Sequence, residues 1–249
     1  MRRKLIAANW KMFKNAEQAR EFMHAFVPML TGHTRDEVVI CPPFTCIETV
    51  AELATAPSLG VGAQDMYWER EGAYTGEVSG PMLLAAGCTH VIIGHSERRQ
   101  YFGETDATVN KKIRAALEVG LTPIVCVGEV LQEREAGLTD DVLRRQCVEA
   151  FRELSGEQGA KMTVAYEPVW AIGTGKTATP QIAAAAHEVI RAEAAEAFGQ
   201  KVADGLRILY GGSVKPDNAK ALMSEPQIDG ALVGGASLDP KSFAAIVKY

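Results

Sequence analysis

Eight short apolar runs recur along the chain and set the pattern of its secondary structure. Each reads as a continuous apolar stretch more than an alternating one, which is typical of parallel strands buried on both faces. The runs are LIAAN (5–9), EVVIC (37–41), LGVGA (59–63), THVIIG (89–94), LTPIVCV (121–127), KMTVAY (161–166), LRILYG (206–211) and DGALVG (229–234). We therefore predict eight buried strands.

Segments with helical character lie between these runs. Residues 15–30 carry large apolar side chains on one helical face, residues 106–120 end in a glycine suited to a helix C-terminus, and residues 179–199 open with Thr-Pro. Eight βα units in 249 residues predict an α/β fold, a closed (β/α)₈ TIM barrel formed by residues 1–249 as one domain. An open doubly wound sheet is the alternative. In both architectures ligands bind beyond the carboxyl ends of the strands.

Composition narrows the class of protein. Hydrophobic residues make up 47% of the chain and charged residues 23%, so a large core is available and disorder is not expected. The formal net charge of −5 argues against nucleic acid or an anionic membrane as a partner. The apolar run near the start ends at Ala8, which is too short for a signal peptide, and no stretch approaches the ~20 apolar residues that span a bilayer.

The cysteines point to a reducing compartment. Their number is five, their spacing is irregular and no C-x-x-C motif occurs. A disulfide framework or a metal site is therefore not expected. We predict a cytoplasmic protein that uses no metal.

Polar side chains follow several of the predicted strands. Asn9 and Lys11 follow the first, His95 and Glu97 follow the fourth, and Glu167 follows the sixth. These residues also have structural interpretations. Lys11 could be a solvated surface lysine, His95 a buried structural histidine, and the two glutamates members of ordinary ion pairs. Glu167 is the hardest to explain structurally, because it interrupts an apolar strand and precedes a proline that restricts its backbone.

Two glycine motifs follow the last two strands. They are Gly211-Gly212-Ser213 and Gly234-Gly235. Either could be a simple turn. However, the loops after strands seven and eight are where this fold often builds a phosphate site from backbone N–H groups and a helix N-terminus.

The segment YEPVWAIGTGKT (166–177) ends like a nucleotide-binding P-loop. Such a loop needs a glycine five residues before Gly175, and that position holds Trp170. The nucleotide interpretation is therefore disfavoured. Gly173 and Gly175 instead predict a mobile lid that contacts a phosphate, with Glu167 at its near hinge.

Together these groups favour proton transfer on a small phosphorylated molecule. A carboxylate takes a proton next to a carbonyl, while an imidazole and an ammonium group stabilise the resulting oxyanion. A closed lid would exclude water and protect a reactive enediolate from losing its phosphate.

The motifs NWKM, GAYTGEVS, VIIGHSERR, CVGE, AYEPVWAIGTGKTA, YGGSVKPDNA and DGALVGGASL are similar, in order and spacing, to those of the triosephosphate isomerase family. The resemblance covers essentially the whole chain. It implies interconversion of dihydroxyacetone phosphate and D-glyceraldehyde 3-phosphate in glycolysis and gluconeogenesis, with neither cofactor nor metal.

The resemblance also implies roles for individual residues. Glu167 would be the base and His95 a neutral electrophile, Lys11 would be the cation near the substrate with Asn9 beside it, and Glu97 would support Lys11. The phosphate ligands it implies are Gly173, Ser213, Gly234 and Gly235. One small departure is Phe13, where a small polar residue is expected.

Residues 64–80, QDMYWEREGAYTGEVSG, form an unusually long connection between a strand and the next helix. They include four large side chains that should not all face water, Met66, Tyr67, Trp68 and Tyr74. The segment could fold back on its own barrel. The resemblance implies instead that it inserts into a second, identical subunit, giving a homodimer in which Thr75 reaches the site of the neighbour.

Two other functions remain open at this point. One is a different phosphate-binding (β/α)₈ enzyme such as an aldolase, which would need a Schiff-base lysine on a strand. The other is a non-enzymatic protein, since a fold does not fix a function.

Overall fold

The eight predicted strands form a closed parallel barrel. The computed structural model of the chain describes residues 2–172 and 177–249. Each strand pairs with the next in sequence order, and the last pairs with the first. The strands are β1 (Leu5–Asn9), β2 (Glu37–Cys41), β3 (Leu59–Ala63), β4 (His90–Ile93), β5 (Thr122–Val127), β6 (Thr163–Tyr166), β7 (Arg207–Tyr210) and β8 (Gly230–Val233). The predicted closed barrel is thereby confirmed, and the open sheet is excluded.

Helices surround the barrel. In the described part of the chain they are α1 (Ala16–Phe26), α2 (Ile47–Leu53), α3 (Gly80–Ala85), α4 (Ser96–Tyr101), α5 (Asp106–Val119), α6 (Leu131–Glu135), α7 (Thr139–Phe151), α8 (Gly156–Gly159), α9 (Pro180–Phe198), α10 (Gln200–Gly205), α11 (Pro216–Met223) and α12 (Pro240–Val247). Short 3₁₀ turns span Val27–Leu30, Phe44–Cys46, Val169–Ala171 and Gly235–Leu238.

Local chemistry explains where the predicted helices begin and end. Asn15 caps α1 with a reciprocal pair of hydrogen bonds to Gln18. Helix α5 stops at Gly120, whose φ of +92° is in the left-handed region that favours glycine. Residues 15–30 are not one α-helix throughout, because the α-helix gives way to the 3₁₀ turn that contains Pro28.

Apolar side chains fill the barrel interior. They are small or branched and form one cluster, comprising Leu5, Ala7, Val39, Cys41, Ile92, Ile124, Cys126, Ala165, Leu209 and Leu232. A larger apolar cluster lies between the strands and the helices. Because the interior is packed, polar groups that need partners collect at the two ends of the barrel. No helix in the described residues is long and apolar enough to cross a bilayer.

The long connection after β3 is ordered mainly by its own contacts. The Tyr67 N–H donates to the Val78 carbonyl at 2.8 Å, which closes the segment at its base. The Tyr67 ring packs against Trp68 with centroids 4.1 Å apart and against Tyr74 at 4.8 Å. Met66 is buried in the core of its own barrel, whereas Tyr74 remains 42% exposed. Of the four large side chains in this segment, Met66 is therefore the one that the barrel itself accommodates.

Two histidines are buried away from the carboxyl ends of the strands. His187, in α9, is fully buried, and its Nδ1 lies 2.9 Å from the Gln227 carbonyl. Its Nε2 is buried without a hydrogen-bond partner in the described part of the structure. His90, at the start of β4, lies beside Glu37. Burial lowers the pKa of each histidine to about 4, and the hydrogen bond to Gln227 and the charge of Glu37 offset this only in part.

We predict that acid destabilises the fold as the pH falls from about 6.5 towards 4. In this window the unfolded chain binds protons at His90 and His187 that the folded chain does not. The lowering of each histidine pKa from about 6.5 to about 4 corresponds to about 3 kcal/mol in the free energy of unfolding. Replacing His187 by glutamine should remove about that much of the pH dependence of the free energy of unfolding, measured by urea denaturation at pH 7.5 and 4.5. The matched control is His24→Gln, on the exposed face of α1. An equal pH dependence in wild type and His187→Gln would contradict the prediction.

Candidate active site

The carboxyl ends of the strands surround a cavity of about 390 Å³. The structure brings nearly all of the predicted site residues to its wall: Asn9, Lys11, His95, Glu167, Ser213, Gly234 and Gly235. Glu97 lies on an adjoining cavity that shares Asn9, Lys11 and His95 with the first. Gly173 lies outside the described residues. Residues more than two hundred positions apart in the sequence therefore meet at one end of the barrel.

Glu167 is a buried carboxylate with a partner on each oxygen. Its side chain is 3% exposed. The Ser96 N–H donates to Oε2 at 2.9 Å, and His95 Nε2 lies 2.9 Å from Oε1. Both partners stand at the start of α4, directly after β4. A buried carboxylate without such donors would be strongly destabilising, so the start of α4 is what allows a carboxylate at this position.

Two glycines make room for Glu167. A Cβ at Gly128 would lie 1.7 Å from the Glu167 carbonyl oxygen, and a Cβ at Gly211 would lie 2.9 Å from Glu167 Cγ. No side chain fits at the first distance. Gly128 follows β5 and Gly211 follows β7, so both neighbours of β6 leave space for the backbone and side chain of Glu167. Gly211 thus has a second role besides the predicted phosphate turn.

The hydrogen bonds of His95 assign its proton. The Glu97 N–H donates to His95 Nδ1 at 3.2 Å, which requires a lone pair on that nitrogen. The single ring proton is then on Nε2 and points to Glu167. His95 therefore acts as the N-cap of α4 and presents an Nε2–H to the cavity.

The pKa values of this pair depend on their contact. Burial is the largest single effect and lowers the pKa of His95. The charge and hydrogen bond of Glu167, together with the charge of Glu97, outweigh it, so the pKa of His95 lies above its usual value. Burial raises the pKa of Glu167, but His95 and the Ser96 N–H lower it by more, so it lies below its usual value. If Glu167 moves away from these donors, the lowering contributions disappear and burial favours a more basic carboxylate.

Lys11 has a strained backbone that its neighbours hold in place. Its φ of +53° lies in the left-handed region, which is unfavourable for a lysine. Asn9 Oδ1 accepts from the Lys11 N–H at 3.0 Å, and Gln64 Nε2 donates to the Lys11 carbonyl at 2.9 Å. The Lys11 ammonium lies 2.5 Å from Glu97 Oε1. Three residues at or beyond the ends of three different strands therefore fix the position of one cation.

The glycine motif after β8 lies next to this cation. A Cβ at Gly234 would lie 3.5 Å from Lys11 Cε, so a larger residue would reach the lysine side chain. A 3₁₀ turn begins at Gly235, and Ser237 Oγ donates to the Gly234 carbonyl at 2.7 Å. Ser213 lines the same cavity. Backbone N–H groups at the start of such a turn can bind an anion.

Besides Gly128, two other residues that shape the site were not predicted from the sequence. Ser96 acts through its backbone N–H, which no side-chain pattern reveals. Gln64 could have been found, because it is the first polar residue after β3, where a side chain is expected to enter the site.

A second group of charges lies behind the site and was also not predicted. Lys112 Nζ contacts Asp65 at 2.6 Å and Glu104 at 2.5 Å, and Arg98 contacts the same two carboxylates. Asp65, Glu104 and Lys112 are all buried. Glu97 therefore pairs with Lys11 and Arg98 with Asp65, so both residues take part in ion pairs.

In the residues that the structure describes, no group of three or more His, Cys, Asp or Glu side chains is arranged to hold a metal ion. The chemistry available at the cavity is that of one carboxylate, one imidazole, one ammonium group and backbone N–H donors. These groups can move a proton and stabilise an oxyanion.

Comparison with known proteins agrees with this chemistry. The family model described as triosephosphate isomerase matches residues 4–249. The chain is 58% identical to the triosephosphate isomerase of Solibacter usitatus over 249 residues, all of both chains. It is 59% identical to that of Moorella thermoacetica and 56% identical to that of Citrifermentans bemidjiense, with 100% of this chain and 99% of each relative covered. The chain therefore belongs to the triosephosphate isomerase family.

Proposed function

We propose that the chain interconverts dihydroxyacetone phosphate and D-glyceraldehyde 3-phosphate by proton transfer through an enediolate, in glycolysis and gluconeogenesis, without a cofactor. The observation that carries the proposal is the buried Glu167 carboxylate in contact with His95 Nε2, on the cavity that Lys11 and the glycine motifs also line. A coupled assay that follows either triose phosphate tests it, and absence of turnover would contradict it.

In this mechanism Glu167 leaves its two donors before it acts. The substrate carbonyl oxygen then replaces Glu167 as the acceptor of the His95 Nε2–H. The imidazole thereby polarises the substrate carbonyl instead of hydrogen-bonding to the base. Burial raises the pKa of the released carboxylate, which makes it a stronger base towards the carbon acid.

Lys11 stabilises the negative charge that develops on the substrate oxygen. Its pairing with Glu97 and its fixed backbone hold the ammonium group in place before substrate arrives, which reduces the reorganisation needed in the transition state. Asn9 holds the Lys11 backbone, and Glu97 holds both the Lys11 ammonium and, through its N–H, the His95 ring. The backbone around Ser213, Gly234 and Gly235 binds the substrate phosphate, with Gly173 as a further ligand from the lid.

The two other functions have less support. A Schiff-base aldolase needs a lysine on a strand, and none of the eight strands, which all lie within the described residues, contains one. A non-enzymatic protein has no need of a strained lysine or of a carboxylate buried beside a histidine. We also infer that residues 1–249 act as one domain in the cytoplasm, which agrees with five cysteines that are all free thiols.

We infer further that the chain forms a two-fold dimer through residues 64–80. Beside the active site lies a groove of about 250 Å³ whose apolar wall includes Met12, Phe44 and Phe102. These side chains are 93%, 42% and 68% exposed, more apolar surface than an isolated subunit should leave in water. The connection after β3 of a second copy, with Tyr74 exposed near its tip, is the occupant that fits, and it would carry Thr75 to Lys11 and Glu97 of its neighbour.

We predict that Glu167→Asp keeps the fold and lowers kcat by about 10²-fold or more. Shortening the side chain by one methylene draws the base back from the carbon acid by about 1 Å. The coupled assay measures kcat, and circular dichroism checks the fold. The control is Glu196→Asp, which shortens an exposed carboxylate on α9. A variant at Glu167 with wild-type turnover would remove this residue from the role of base.

We predict that Glu167→Gln lowers the pKa of His95 below its usual value. The variant lacks the larger of the two carboxylate effects that raise this pKa. Burial, which is the largest single effect and lowers the pKa, remains and exceeds the effect of Glu97. Histidine ¹⁵N chemical shifts measured across a pH titration report the change. His24, on the exposed face of α1, serves as the internal control in the same spectra. A His95 pKa that stays above its usual value in the variant would show that Glu167 is not its cause.

We predict that the intact chain sediments as a dimer at micromolar concentration. Replacing residues 67–75 by a tight turn, or Phe102 by aspartate, should give a monomer with greatly reduced kcat, because Lys11 then lacks the neighbour's support. Val148→Asp is the matched control: it changes a side chain on α7 that is 55% exposed but lies away from the groove, and it should leave the dimer intact. A mass near the 26.8 kDa of one chain for the wild type would refute the dimer.

A further inference from the structure

A second cavity lies at the opposite end of the barrel, where the strands begin. Its volume is about 550 Å³. The residues around it precede β1 or lie at the start of β5, β6 and β7. Four of them are cationic: Arg2, Arg3, Lys161 and Arg207. None of the eight residues that line it is acidic. This is an unusual concentration of positive charge for a chain whose net charge is −5.

The carboxylates that contact these cations do not balance them. Glu37 accepts from Arg207 at 2.5 Å, but Asp229 is shared between two arginines, Arg2 at 2.5 Å and Arg191 at 2.7 Å. Arg3 contacts only main-chain carbonyl oxygens in the described structure, at 3.2 and 3.4 Å. The local excess of positive charge therefore remains after all of these contacts are made.

Unused donors remain on the same side chains. A guanidinium group carries five N–H bonds. In the described contacts Arg207 donates to Glu37 through Nη1, and Arg3 donates to carbonyl oxygens through Nη2. The Lys161 ammonium makes one contact, at 3.0 Å, to a Glu157 side chain that is 82% exposed and easily displaced. These donors suit phosphate oxygens, which guanidinium groups bind in a bidentate manner.

We propose that this cavity binds a condensed phosphate chain, a di- or triphosphate, free or carried on a nucleoside. Several separated cations favour a ligand with several linked charges over a single phosphate group. The cavity has no aromatic lining residue, and its apolar wall consists of Ala160 and Met162. Nothing in it would stack on a base, so the phosphate chain itself is the part that is recognised. The site is independent of the proposed isomerase chemistry, which lies at the other end of the strands.

Binding here would stabilise the fold. The ligand would contact three residues that are far apart in the sequence. They are Arg3 before β1, Lys161 before β6 and Arg207 in β7. A ligand that binds the folded chain and not the unfolded one raises the midpoint of thermal unfolding by mass action.

The test is calorimetric titration of sodium tripolyphosphate into the full chain at low ionic strength, with EDTA present. Glycerol 3-phosphate at saturating concentration occupies the active-site phosphate pocket. We expect one site per chain with a Kd of about 1 mM or lower, and a higher midpoint of thermal unfolding. Lys161→Glu should weaken binding about 10-fold, whereas Lys220→Glu, on the exposed part of α11, should leave it unchanged.

Several results would overturn the proposal. The first is that tripolyphosphate does not bind once glycerol 3-phosphate occupies the active site. The second is that Lys161→Glu and Lys220→Glu weaken binding equally. The third is that ATP binds more than tenfold tighter than tripolyphosphate, which would show that the nucleoside is the part recognised. Triose phosphate turnover is measured on the same samples. It should be unaffected by Lys161→Glu, so a failure of this proposal and a failure of the proposed function are distinguishable.

Discussion

The burial of one carboxylate is the constraint on which the rest of the site depends. Glu167 is 2% exposed at the end of a barrel whose interior is filled with apolar side chains. A charge in that position requires donors, and the start of α4 supplies two of them. It also requires space, which Gly128 and Gly211 provide from the neighbouring strands. The site is thus an arrangement of four adjacent strand ends around a single charged group.

The contacts that stabilise the buried Glu167 carboxylate also make it a weak base. His95 and the Ser96 N–H lower its pKa while it rests against them. In the proposed mechanism, substrate displaces this resting arrangement before Glu167 acts as a base. The substrate oxygen and Glu167 compete in this mechanism for one Nε2–H, so substrate binding and release of the base become a single event. In the proposed mechanism, Glu167 is therefore most basic when the substrate, which is the carbon acid, is bound.

Much of this arrangement could be predicted from the sequence, for physical reasons. The apolar runs mark all eight strands because strands buried on both faces contain few polar residues, and the first three are bounded as predicted. Glu167 stands out for the same reason: it interrupts such a run. The polar groups at the strand ends could be placed together because parallel strands align their carboxyl ends. Ser96 could not be predicted, since its contribution is a backbone N–H. The Asp65–Lys112 pair depends on how the β3 connection packs against α5, which no local pattern specifies.

The central claim is that Glu167 takes a proton from C1 of dihydroxyacetone phosphate and returns it to C2, the two carbons of the enediolate. The most direct test is turnover of dihydroxyacetone phosphate in D₂O, with the product examined by proton NMR. A carboxylic acid formed at Glu167 exchanges with solvent, so the account predicts deuterium at C2 of D-glyceraldehyde 3-phosphate. Product formed at the normal rate with no deuterium at C2 would indicate direct hydride transfer between the carbons and would contradict the account.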